Sequence, residues 1–109
     1  MNENILSNLY TAIVSLDHEL RICFINQPAE SLLEISATKS LGQPLAELVC
    51  GFGAYVWVFY DAIQSGQPYT QRMAELTLAS GSTTTVDFTI SPVREDEWPR
   101  LLLEIHPLD

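Results

Sequence analysis

From Thr85 to Ser91 the chain alternates without a break. Val86, Phe88 and Ile90 fall on one side of an extended backbone, and Thr85, Asp87, Thr89 and Ser91 fall on the other. Successive side chains of a strand point to opposite faces, so this spelling requires one dry face and one wet face. A strand of that kind belongs to an antiparallel sheet covered on one side only. The rest of the chain must supply its neighbours and a lid for its apolar face.

The neighbours can be read directly. A strand-like run over residues 69–78 ends in the turn Ser80-Gly81-Ser82, and residues 100–105 form a later strand with Leu101, Leu103 and Ile105 on one face. A break is expected between the two late strands, from Ser91-Pro92 through Trp98-Pro99. Near the amino terminus, residues 11–16 and 21–25 are β-type runs joined by Asp17-His18-Glu19-Leu20, which has the polar content and length of a hairpin connection.

The lid lies between these two groups of strands. Asn26 is placed to cap free helical amides, Pro28 falls in the first turn where its missing N–H costs nothing, and Ala29, Leu32 and Leu33 supply an apolar face. That helix should stop near Ile35-Ser36. A turn through Leu41-Gly42-Gln43-Pro44-Leu45 then leads into a brief helical piece at Ala46-Glu47-Leu48. Residues 53–63 are predicted as a longer helix, with Val56, Phe59, Tyr60 and Ile63 at helical spacing, Trp57 and Val58 making it apolar almost all round, and a terminator at Ser65-Gly66-Gln67-Pro68. Residues 1–10 read as an amphipathic helix with Ile5, Leu6 and Leu9 on one stripe. The predicted class is α+β: a five-stranded antiparallel sheet with short helices on one face and an amino-terminal helix.

With 109 residues, 47% of them hydrophobic, the chain has the size and apolar content of one domain with one core. Fourteen acidic residues against five basic ones leave a net charge of −9, which disfavours nucleic acid and anionic membranes as partners. The short run Glu95-Asp96-Glu97 reads as solvated surface. Cys23 and Cys50 form no CxxC and no disulfide framework, and the amino terminus lacks the basic flank and apolar stretch of a signal peptide. The domain is expected to be cytoplasmic.

A catalytic set is not evident. The two histidines, His18 in a hairpin turn and His106 after the last strand, read as loop and strand-end residues. No GxSxG, HExxH, GxxxxGK or GxGxxG spacing is present, and Gly51-Phe52-Gly53 reads as a turn. Cys23, inside an apolar run, reads as a small half-buried residue, and four metal ligands are not spaced together. Asp87 is the one acid on a strand whose surroundings could raise its pKa, with no second carboxylate placed opposite it.

The segment running from Leu16-Asp17 through Arg21-Ile22 to Phe24-Ile25-Asn26-Gln27-Pro28-Ala29, followed by Leu32-Leu33, resembles the opening hairpin and capped helix of PAS domains. Ser40-Leu41-Gly42-Gln43-Pro44-Leu45 looks like that family's Gly-x-Pro turn, and the three late strands follow in order. Within the family, residues 5–13, 26–30, 41–48 and 101–109 resemble the amino-terminal domain of nitrogen-regulation sensor histidine kinases. Pro107-Leu108-Asp109 departs from the Asp-x-Thr ending of a generic PAS domain.

This resemblance implies a single PAS domain over residues 1–109, with residues 1–10 as an amino-terminal helix and 11–109 as the core, cut from a longer sensor kinase. It implies a non-catalytic regulatory role: a homodimer acting on a downstream kinase region of the same chain. A response regulator and a nitrogen-status signalling protein are its indirect partners. Flavin-binding relatives carry an Asn-Cys-Arg-Phe-Leu helical run and haem-binding ones a helical histidine; neither feature is here, so no cofactor is expected.

Two groups of residues stand as candidate sites. Ile5, Leu6 and Leu9 either form a dimer seam or cover the sheet. Phe59 and Phe88 either line a small-molecule pocket between the sheet and the 53–63 helix or pack as ordinary core. A small curved-sheet isomerase using Asp87 is the remaining alternative; it requires an open apolar cone with two converging polar groups.

Overall fold

Asn26 organises the amino-terminal third of the molecule. Its side-chain Oδ1 accepts from the backbone N–H of Ala29 at 3.0 Å and of Ile13 at 2.9 Å, while Nδ2 donates to the Thr11 carbonyl at 2.9 Å. One buried amide therefore caps a helix and binds a strand, leaving no orphaned polar atom in a site 3% exposed. The strands are β1 (Ala12–Leu16) and β2 (Ile22–Ile25), and the helix is α1 (Gln27–Leu33). These details come from a computed structural model that describes residues 11–95 and 98–108. The expected amino-terminal helix, with Ile5, Leu6 and Leu9, lies outside the described residues.

The β1–β2 connection is closed by Asp17, whose Oδ1 accepts from the N–H groups of Glu19 and Arg21, both at 2.9 Å. Leu20 takes a left-handed φ of 64°, rare for a bulky residue. That conformation costs about 1–2 kcal/mol. Burial of the leucine side chain, 7% exposed, returns about 2 kcal/mol and offsets it.

Helix α1 ends two residues earlier than expected, because Glu34 turns left-handed at φ 59°. The chain then starts a helical turn that the sequence reading missed, α2 (Ala37–Ser40), capped by Ser36 and by Glu30, whose Oε2 accepts from the Ala37 N–H at 2.6 Å. The expected piece after Pro44 is α3 (Leu45–Leu48). A 3-10 turn (Phe52–Tyr55) runs into α4 (Val56–Ser65), which Gly66 closes at φ 73°. The apolar face of α4 is rotated from the one expected. Val58, Phe59 and Ala62 are buried, while Tyr60 is 45% and Trp57 71% exposed. Periodicity alone could not choose among the many apolar residues of this helix.

The strands β3 (Tyr69–Thr77), β4 (Thr83–Glu95) and β5 (Trp98–Pro107) complete one antiparallel sheet of order β2-β1-β5-β4-β3. The first strand thus lies beside the last. The expected break at Ser91-Pro92 does not occur, and β4 runs on to Glu95. Register explains this: β3 begins at Tyr69 opposite Ile90, so past that point one edge of β4 is open and Pro92 is not required to donate there. Val86, Phe88, Ile90, Leu101, Leu103 and Ile105 are fully buried on the inner face, beneath the helices.

Candidate functional site

Phe88 lies at the centre of the inner face, and α4 lays Phe59 against it at a ring separation of 5.8 Å and an angle of 84°. Two further rings close the space. Phe52 meets Phe88 at 5.6 Å and 65°, and Tyr55 meets it at 5.2 Å and 76°. These edge-to-face contacts are each worth about 1 kcal/mol beyond burial. The two residues singled out as a candidate pocket are therefore together, in a site occupied by aromatic packing.

Phe52 escaped the sequence reading, which took Gly51-Phe52-Gly53 for a turn alone. The usable signal was the glycine. Gly51 has φ 115°, and a Cβ there would run into the Glu75 carbonyl oxygen of β3, so only glycine lets Phe52 enter the core from this angle. The Thr77 N–H donates to the Cys50 carbonyl at 2.9 Å and fixes the approach. Phe52 is fully buried.

The outer face of the same sheet has two halves. Ser15 stands opposite both Phe24 and Leu102, Ser91 opposite Leu102, and Val93 opposite Arg100. With Ile13, all of these but Ser91 frame an apolar depression of about 320 Å³. The other half is polar. Thr70 and Thr89 share a hydroxyl hydrogen bond at 3.0 Å, and Asp87 accepts from the Met73 N–H at 2.9 Å and lies 3.5 Å from the Arg72 Nε. That bond holds Met73 at φ 56° in a bulge of β3.

The remaining sequence candidates are dispersed. His106 lies exposed within β5 opposite Asp87, and His18 sits in the first hairpin turn. Cys23 is half-buried on β2, where burial pushes its thiol pKa up against the lowering effect of Arg100; Cys50 is exposed. Among the described residues no three His, Cys, Asp or Glu side chains converge as metal ligands. The cone an isomerase would need is filled by the four rings, and Asp87 projects from the opposite face of the sheet.

A five-stranded antiparallel sheet of order β2-β1-β5-β4-β3, covered on one face by short helices and a ring cluster, defines a small α+β fold. The chain matches the PAS fold over residues 1–107 and belongs to that family. It is 30% identical over 107 residues to the sensory histidine kinase/phosphatase NtrB of Escherichia coli O157:H7 and 29% identical over 105 residues to that of Klebsiella oxytoca. Both alignments take in 96% of this chain, which spans 29% of the length of either relative. The PAS domain of nitrogen regulation protein NR(II) from Vibrio parahaemolyticus superposes with a TM-score of 0.83 at 27% identity, covering 99% of this chain and 98% of that one. Among the described residues no helix is long and apolar enough to cross a membrane.

Proposed function

We propose that this chain is the cytoplasmic regulatory PAS domain of a two-component nitrogen-regulation histidine kinase and adjusts a downstream kinase region without performing chemistry itself. The observation that carries the reading is that 96% of this chain aligns with an NtrB relative and that the Vibrio PAS domain is covered almost completely. The parent kinase would connect it to a response regulator and a nitrogen-status signalling protein. In this reading residues 1–109 form one domain that pairs with a second copy.

The pairing surface proposed is Ile5, Leu6 and Leu9 together with the outer apolar depression. Ile13, on the depression, lies four residues beyond Leu9, so the stripe and the depression are close along the chain. Leu102 is at the centre of the strip, opposite both Ser15 and Ser91.

Exchanging this chain for the amino-terminal domain of the Escherichia coli O157:H7 kinase tests the reading. The chimera is expected to autophosphorylate, and Leu102→Lys is expected to shift both its activity and the mass of the isolated domain by light scattering. A chimera that behaves like a kinase with no such domain overturns the regulatory role. A dimer that survives both Leu102→Lys and removal of residues 1–10 overturns the proposed seam. The small-ligand reading keeps Phe59 and Phe88 as its site and requires the ring cluster to open; a metabolite that raises the melting temperature of wild type, but not of Phe88→Leu, would support it.

A further inference from the structure

On the side of Phe59 away from the ring cluster, the first hairpin turn, α3 and α4 enclose a cleft of about 140 Å³. Its floor is Leu20, Leu45 and Phe59, and its lips are Glu19, Pro44 and Tyr60. Sites for small metabolites run to about 300 Å³ and above. This one has room for roughly four or five waters, or one long side chain.

The cleft is also built rather than accidental. Leu20 is held in its left-handed conformation with its N–H on the Asp17 carbonyl, and its own carbonyl accepts from Leu45 at the start of α3 at 3.2 Å. Strained backbone of this kind persists only where the surroundings fix it. Beside the cleft, Trp57 and Tyr60 lie three residues apart on α4, on adjacent turns of one exposed face, with Asp61 next to them.

The lip carries one carboxylate, Glu19, 64% exposed, and Glu47 and Asp61 follow the lining residues Ala46 and Tyr60 in sequence. Arg21 lies 3.6 Å from the Glu19 carboxylate and donates to the Gly42 carbonyl at 3.0 Å. An ion pair this exposed contributes little, so Glu19 can exchange it for another cation.

We propose that this cleft docks a partner protein through a single arginine or lysine flanked by apolar residues. The aliphatic stem lies on Leu20 and Phe59, the cation reaches Glu19 and the Tyr60 ring, and the flanking apolar residues cover Trp57. The surface is separate from the outer sheet face, so it stands whether or not the chain pairs there.

Trp57 is one of two tryptophans, and in a Trp98→Phe background its fluorescence reports on the cleft alone. The probes are the acetylated, amidated peptide Leu-Ala-Arg-Ala-Leu, the same peptide with glutamate for arginine, and ethylguanidinium. The arginine peptide is expected to give a saturable change at millimolar concentration or below. Tyr60→Ser should weaken it about tenfold and Glu19→Gln about threefold, with the latter loss shrinking at high salt. Circular dichroism checks that each variant stays folded. The proposal fails if the arginine peptide gives no saturable change, if the glutamate peptide binds equally well, or if ethylguanidinium binds as tightly as the peptide.

Discussion

Along β4 neighbouring residues live by different rules. Val86, Phe88 and Ile90 are sealed beneath the helices, while Asp87 and Thr89 between them face outward and are only half-buried. The inner face is specified by shape: four rings and a set of aliphatic residues with no exposure. The outer face is specified by pairing, through Thr70 with Thr89, Asp87 with the Met73 amide, and a small apolar patch around Leu102. Stability should therefore concentrate on the inner side of the sheet, and the outer side should tolerate change far better.

The strongest test of that division is Phe88→Ala. Phe88 touches the rings of Phe52, Tyr55 and Phe59, and removing it leaves a cavity that three aromatic neighbours cannot all collapse into. A loss of about 4 kcal/mol is expected in urea unfolding. A loss under about 1 kcal/mol would mean that the ring cluster is loose enough to open for a ligand, and the two faces would no longer differ in kind.

Gly51→Ala comes next, at about 3 kcal/mol, because the new Cβ meets the Glu75 carbonyl and φ 115° is strained for alanine. It acts on the inner face through backbone alone. If the melting curve does not move, Phe52 has another way into the core, and the proposed role of this glycine is wrong.

These two residues also show where sequence reasoning ran short. The alternation of β4 and β5 assigned the inner-face residues correctly, because period two leaves one choice of face once a single face is buried. The hairpin, the Asn26 cap, the Gly66 stop and the succession of the five strands were legible for the same local reasons. What escaped depended on contacts distant in sequence. The second task of Asn26, binding the Ile13 amide and the Thr11 carbonyl, requires β1 to run past the helix start. The entry of Phe52 requires β3 beside Gly51. The continuation of β4 through Pro92 follows from where β3 begins, and the rotation of α4 from which of its many apolar residues meets Phe88. Of the candidate site residues, Phe59 and Phe88 meet as packed rings, whereas the cleft at Leu20 needed the left-handed turn that no local pattern announces.

Asp87 supplies the contrast with its sequence neighbour. Asp87→Ala removes the acceptor of the Met73 N–H and the Arg72 pair. Arg72 is 80% exposed, Met73 69%, and water can replace the lost acceptor, so about 1 kcal/mol is expected from urea unfolding. Adjacent substitutions should thus differ about fourfold in cost. Equal costs at residues 87 and 88 would break the comparison between the faces.

The smallest effect sharpens it. Cys23 sits near Ser15 and Arg100, and burial disfavours its thiolate more than Arg100 favours it, so its pKa lies above the ordinary 9.0. A raised folded-state value means that the neutral thiol is preferred in the native protein. Its contribution to stability is therefore complete below the ordinary thiol pKa and is lost as pH rises through the folded value. Wild type should lose slightly more stability than Cys23→Ala between pH 8 and strongly alkaline solution. Iodoacetamide at pH 8 should alkylate exposed Cys50 before Cys23, since the thiolate is the nucleophile. Mass spectrometry of the time course separates the two, and prior labelling of Cys23 would show that this edge of the sheet is as wet as the loops.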